Sequence, residues 1–235
     1  MSVPNVFCSG ILIELRQFLN KPTLEYKSRQ EAANAVAAYY KKLSPCTRED
    51  LDYFYDTCDD YVYENCYCNK EASCASRIKK TEKILKENNF KTLLEIGAGP
   101  GTYALSFEKM GYFVDALQGK DLAAKFFAWR IKRHNSHIHM VQSIEGKYDC
   151  ILFFDVIEHV FDPYEFLKEI AEHTDAIIFT HGFGVHRKDM GGYPQHFDHK
   201  INDIKSFLES IGFEKQKVKE VFPPHFYKRK IKKED

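Results

Sequence analysis

The sequence predicts an α/β protein: a mostly parallel sheet covered on both faces by helices and preceded by a helical cap. Three observations predict it. Short continuous apolar runs alternate with segments of helical period, the pattern of strands buried on both faces. An apolar strand, Leu93-Leu94-Glu95-Ile96, runs straight into the glycine-dense turn Gly97-Ala98-Gly99-Pro100-Gly101-Thr102. The residues ahead of that strand read as helices. A chain of 235 residues can bury one substantial core and still carry an appendage of roughly 90 residues. The expected division is a helical cap or lid over 1–88 and the sheet domain over 89–235.

Within the cap, Arg29 to Leu43 is alanine-rich and helical, and Ser44-Pro45 ends it. Thr47 caps the next segment, with Asp50 three residues on as an approximate capping box. Leu51, Phe54, Tyr55, Cys58, Tyr61 and Val62 recur at helical spacing and predict one apolar face. Ser76 to Asn88 is a third helix leading into the first strand. After the glycine turn, Thr102 is placed to cap a helix over Tyr103 to Met110.

The alternation then continues. Tyr112 to Leu117 is a second strand, followed by an amphipathic helix from Asp121 to His134 and a short strand from His137 to Val141. Tyr148 to Asp155 is a fourth strand, with an acid at its C-terminal tip. Helix Tyr164 to His173 leads to strand Ala176 to Thr180. Helix Asn202 to Ile211 leads to a final hairpin, Phe213 to Val218 and His225 to Ile231, turning at Pro223-Pro224. Ligands in such sheets sit beyond the carboxyl ends of the strands. Glu95, Gln118, Asp155 and Thr180-His181 all fall there.

Composition narrows the partners. Lys+Arg and Asp+Glu number 34 each, so the global charge calls for no polyanion, and nucleic acid is not expected. The basic tail Lys228-Arg229-Lys230-Ile231-Lys232-Lys233 reads as a solvated terminus. No apolar run nears the length of a membrane span. Val6 to Ile13 is apolar but has neither a basic flank nor a cleavage site, so a soluble cytoplasmic protein is expected. The seven cysteines are odd in number and argue against a disulfide framework. Cys58, Cys66, Cys68 and Cys74 could in principle hold a metal, but their intervals of seven, one and five residues match no common knuckle. They read as packed or surface thiols.

The glycine spacing is G-x-G-x-G, not the G-x-G-x-x-G of dinucleotide sites, and Pro100 removes one amide donor from the loop. Glu95-Ile96-Gly97-Ala98-Gly99-Pro100-Gly101-Thr102 resembles motif I of the class I S-adenosylmethionine (SAM) dependent methyltransferases. The resemblance implies a Rossmann-like, seven-stranded sheet with an antiparallel edge and SAM as cofactor. It implies methyl transfer to an oxygen or nitrogen of a small-molecule acceptor. It also implies that the N-terminal helices form a lid shaping the acceptor pocket. The expected cofactor residues are Glu95, Gly97, Gly99, Gly101, Gln118 and Asp155. Two positions depart from the family's pattern. Gln118 stands where an acid grips the ribose hydroxyls, and Val141-Gln142-Ser143-Ile144 stands where an acid reads the adenine. A neutral acceptor holds a diol less firmly than a carboxylate, so Gln118→Asp is expected to tighten SAM binding.

Asp155-Val156-Ile157-Glu158-His159-Val160 resembles the family's motif after the fourth strand, with Asp155 facing the cofactor's methionine end or the reacting centre. The loop from Thr180 to His199 is the candidate for acceptor specificity; it holds His181, Gly182, Gly184, His186, Asp189, Gly191, Gly192, Tyr193 and His196. Imidazole is the natural base for a hydroxyl, phenol or amine near neutral pH. His181, at a strand tip, is the first catalytic candidate and His159 the second. Asp155, Glu158 and His159, with a downstream histidine in Gln195-His196-Phe197-Asp198-His199-Lys200, also resemble the set used by metal-assisted O-methyltransferases. Those include ubiquinone-pathway enzymes and small-RNA 3′-end 2′-O-methyltransferases. Asp155 is shorter than the glutamate they carry, so a metal-free site is expected. The alternatives are a metal-assisted RNA-terminus methyltransferase and a non-catalytic protein that keeps the SAM fold.

Overall fold

A computed structural model describes residues 7–45, 47–182, 195–197, 199–219 and 224–230. Five helices precede the first strand among the described residues: α1 (Ile11–Phe18), α2 (Arg29–Leu43), α3 (Arg48–Thr57), α4 (Asp60–Lys70) and α5 (Ala72–Glu87). Strand β1 (Thr92–Ile96) follows, then α6 (Thr102–Lys109), β2 (Phe113–Leu117), α7 (Leu122–Arg133), β3 (His139–Val141) and β4 (Cys150–Phe154). The chain continues through α8 (Pro163–His173), β5 (Ala176–Thr180), α9 (Ile201–Ser210), β6 (Phe213–Lys215) and β7 (His225–Arg229).

The seven strands form one sheet in the order β3-β2-β1-β4-β5-β7-β6. The first five are parallel, and β7 runs antiparallel to both β5 and β6. This is the Rossmann-like sheet with an antiparallel edge that the sequence predicted. Period-two alternation divides the core. Leu93, Cys150, Leu152 and Ile178 face a layer containing α5 and α6, through Ile78, Ile84, Leu105 and Phe107. Leu94, Ile151, Phe153 and Ile177 face Leu167, Ile170, Ile204 and Leu208 of α8 and α9. Each fully buried aliphatic contributes about 1.5–3 kcal/mol. The parallel order places the ends of β1, β2, β4 and β5 at one rim, and side chains of α3 and α4 line the same cavity.

Several expectations change. The capping box forms, with the Asp50 N–H donating to Thr47 Oγ1 and the Thr47 N–H donating to Asp50 Oδ2, both at 3.1 Å. The apolar face from Leu51 to Val62 does not belong to one helix, however. The chain breaks at Cys58 and Asp59, because adjacent acids suit the positive end of a new helix, here α4. Helix α1 lies partly in the run read only as apolar; Ile11 and Leu15 are fully buried. Helix α5 starts at Ala72, ahead of Ser76, since Ser73 and Ser76 mask its beginning with weak helix propensity. Gly101, at φ 72°, caps α6, and Thr102 is the first helical residue. β6 ends at Lys215, short of Val218; Pro223 and Ile231 lie outside the described residues.

Candidate active site

The three glycines of the turn all have positive φ, at 68°, 54° and 72°, but they serve different ends. A Cβ on Gly97 would stand 2.6 Å from Val156, and one on Gly101 would stand 2.0 Å from the ring of Phe127. Both are demanded by packing as well as by dihedral angle. Gly99 meets only the Asn65 side chain, at 3.8 Å, and faces open space. Gly97 and Gly99 line a cavity of about 820 Å³; Gly101 sits behind it and shapes the loop.

Arg130 braces the turn from below. Wholly buried, it donates to the Pro100 carbonyl at 2.6 Å, Thr102 Oγ1 at 3.1 Å, Glu14 at 2.7 Å and the Phe7 carbonyl at 3.2 Å. One guanidinium therefore ties the first cap helix to the glycine loop. Its planar fork allows several donors to be satisfied at once.

Two buried carboxyls face the cavity. Glu95, at the end of β1, is 2% exposed, and its Oε2 has no hydrogen-bond partner among the described residues. Burial pushes its pKa up to about 8. Glu158, in the single 3₁₀ turn after β4, accepts the Gly182 N–H at 2.6 Å through Oε1, while Oε2 has no hydrogen-bond partner among the described residues. Burial, then the neighbouring Asp155, pushes its pKa to about 8. Gly182 is needed here, since a Cβ would stand 2.7 Å from the Glu158 carboxylate. Asp155 adopts φ 54° at the end of β4, a conformation that aspartate tolerates better than most residues. Arg77 donates to it at 2.6 Å and Thr180 at 2.8 Å.

The far end of the cavity is aromatic and basic. His159 Nδ1 lies 2.7 Å from the Tyr55 hydroxyl, and Nε2 lies 3.5 Å from that of Tyr61. The His196 ring meets it edge-on at 4.5 Å. Burial, aided by His196, lowers the pKa of His159 to about 3, so its ring is neutral at physiological pH. His181 is half-buried at the tip of β5 and stacks on His225 at 5.2 Å. Burial lowers its pKa as well. Glu158, His159 and His196 each bring a donor atom within 4.8 Å of the other two, a group able to hold a cation among the described residues. Asp155 is engaged elsewhere, and His199 Nε2 lies 2.9 Å from the Val160 carbonyl.

Gln118 reaches the cavity but turns back to the loop, its Oε1 accepting the Gly99 N–H at 2.7 Å. The cysteines sit in separate places. Cys58 packs with Phe54, Cys66 with Ile11 and Leu15, and Cys74 lies 3.6 Å sulfur to sulfur from Cys8 without a disulfide. Gly184, His186, Asp189, Gly191, Gly192 and Tyr193 lie outside the described residues. Sequence reading missed Tyr55 and Tyr61 as site residues, along with Arg77 and Asn65. The tyrosines showed only as part of an apolar stripe, and nothing near them in the chain marks their histidine partner.

Residues 69–181 match a family model described as a methyltransferase domain. A curated relative from Caulobacter vibrioides, named ubiquinone biosynthesis O-methyltransferase, is 30% identical over 89 residues. That match covers 34% of this chain and only 35% of the relative's length. A methyltransferase structure from Clostridium acetobutylicum superposes with a TM-score of 0.54 at 12% identity, covering 65% of this chain and 90% of that one. Magnesium protoporphyrin IX methyltransferase from Synechocystis, solved with S-adenosylhomocysteine (SAH) bound, gives 0.51 at 15% identity over 83% and 94% of the two chains. At these identities the structural likeness speaks for the fold. No helix among the described residues is long and apolar enough to cross a membrane.

Proposed function

We propose that the chain carries a class I SAM-dependent methyltransferase domain and methylates an oxygen or nitrogen of a small molecule, a reading supported by the methyltransferase-domain match over residues 69–181. One observation carries this reading: a single cavity of about 820 Å³ joins the glycine loop to the group formed by Glu158, His159 and His196. That volume falls in the range of small-molecule clefts, about 300–1,000 Å³. Bound SAM supplies an electrophilic methyl on a sulfonium. The orphaned oxygen of Glu95 suits the ammonium of the cofactor's amino-acid end, and the bare backbone of Gly97 and Gly99 lets the nucleoside lie close. Asp155, clamped by Arg77 and Thr180, borders the same space.

The chain's own task is then to orient the acceptor and take its proton. His181 stands at the tip of β5 on the cavity wall, where burial lowers its pKa and favours the neutral ring, so it is assigned as the base. His159, fixed between Tyr55 and Tyr61, orients the acceptor from the aromatic end. The name of the Caulobacter relative agrees with a small oxygen acceptor. The convergence of Glu158, His159 and His196 favours a second reading, in which a divalent cation held there lowers the pKa of an acceptor hydroxyl.

Calorimetry with SAH, followed by mass spectrometry after incubation with SAM and panels of phenols and amines, tests the proposal. SAH should bind, and one panel member should gain a methyl group. His181→Ala should lower turnover by about 100-fold while SAH affinity holds. A wild type that does not bind SAH refutes the assignment, and turnover abolished by a chelator and restored by Mg²⁺ selects the cation-assisted reading.

A further inference from the structure

The ribose of a nucleoside cofactor offers two hydroxyls that need acceptors, and the end of β2 has little to give them. Gln118 spends its amide oxygen on the Gly99 N–H at 2.7 Å and turns its amide nitrogen toward Asp121 at 3.4 Å. Asp121 Oδ1 also caps α7 by accepting the Ala124 N–H at 2.7 Å, and the residue is 6% exposed. Each of these side chains already commits an oxygen to the local chain, Gln118 to the glycine loop and Asp121 to the start of α7.

A carboxylate does reach this place from the opposite side. Asp56, on cap helix α3, is exposed and lines the same cavity as Gln118 and Gly119. Its Oδ1 lies 3.8 Å from where a Cβ on Gly119 would stand, so it overhangs the bare backbone just after β2. The charge of Asp56 also contributes to raising the Asp121 carboxyl, which burial raises first. The buried Oε2 of Glu95, without a partner among the described residues, independently marks this cavity as one that receives a ligand.

We propose that Asp56 is the carboxylate that receives the ribose hydroxyls, supplied by the cap in place of the acid absent from β2. The proposal rests on the SAM reading above. It makes the cap part of the cofactor site: the bound nucleoside bridges α3 and the sheet, and release requires α3 to withdraw.

Calorimetry with SAH and with its 2′-deoxy analogue tests it on the full chain. Asp56→Asn keeps shape and sits at an exposed position, so its melting temperature without ligand should match the wild type. It should bind SAH about tenfold more weakly or worse, since a charged hydrogen-bond acceptor is replaced by a neutral amide. The 2′-deoxy analogue, which keeps one of the two hydroxyls, should lose less affinity than SAH does on going from wild type to the variant. Equal SAH affinity in both proteins overturns the role of Asp56 alone. So does an equal loss in Asp52→Asn, one helical turn away, which would mark a general effect of cap charge. Failure of the wild type to bind SAH overturns the cofactor reading and this proposal together.

Discussion

The floor and the roof of the cavity are built by different means. The floor is backbone: strand ends, a glycine turn and a 3₁₀ turn, with two buried carboxyls fixed by the chain that carries them. The roof is side chains: Tyr55, Asp56, Tyr61 and Asn65 reach inward from α3 and α4. The floor therefore presents main-chain groups held by neighbouring side chains such as Val156 and Phe127, whereas the roof alters with each substitution on α3 and α4. Arg130 belongs to neither layer; it ties the glycine loop to α1, whose Ile11 and Leu15 pack with Val62 and Cys66 of α4.

The largest expected effect therefore comes from cutting that joint. Arg130→Met removes the donor to Pro100 and leaves Glu14 buried with only His134 beside it at 2.7 Å. Losing one partner of a buried ion pair costs about 3–5 kcal/mol, so the denaturation midpoint should fall steeply. A loss below about 1 kcal/mol would mean that α1 and the glycine loop stand independently of Arg130.

A smaller effect probes the floor. Glu95 holds its proton more tightly when folded, near 8, than at its ordinary value of 4.5. Its favourable contribution is full below about 4.5 and is lost as pH rises through 8. The ligand-free protein should therefore melt at progressively lower temperature across that window. Glu95→Gln should flatten the slope and raise the melting temperature at pH 8 by ~2–4 °C, equivalent to about 1 kcal/mol. An unchanged slope would show that Glu95 is not the titrating group.

The smallest effect concerns Gln118. From sequence, an acid there should tighten cofactor binding. In the fold, Gln118→Asp would forfeit the reach to Gly99 and add a charge beside Asp121 and beneath Asp56. SAH affinity should fall by about two- to tenfold. An increase would restore the ribose role to the end of β2 and place the cap outside the nucleoside site.

The sheet was legible because each strand announces itself within five or six residues, by apolar runs and by the turn that follows. Thr47 and Asp50 were equally plain, since a capping box joins residues three apart. The break at Cys58 was not, because a helical stripe continues across it with no loss of period. The site was legible in part. Strand ends placed Glu95, Gln118, Asp155 and His181 at one rim, and the cavity does touch all four. Tyr55 and His159 stand 104 positions apart, and Arg130 and Glu14 stand 116 apart. Such pairs leave no local trace, because they form only when separate helices are docked.

The sequence by itself determined the order of strands and helices, the glycine turn and the acids at the sheet's rim, since those follow from hydrogen bonding and burial among near neighbours. Tertiary structure alone decided which cap side chains hang over that rim, where Gln118 turns and what holds the loop in shape. Those choices depend on how elements pack across the cavity, and packing compares every surface of the chain at once.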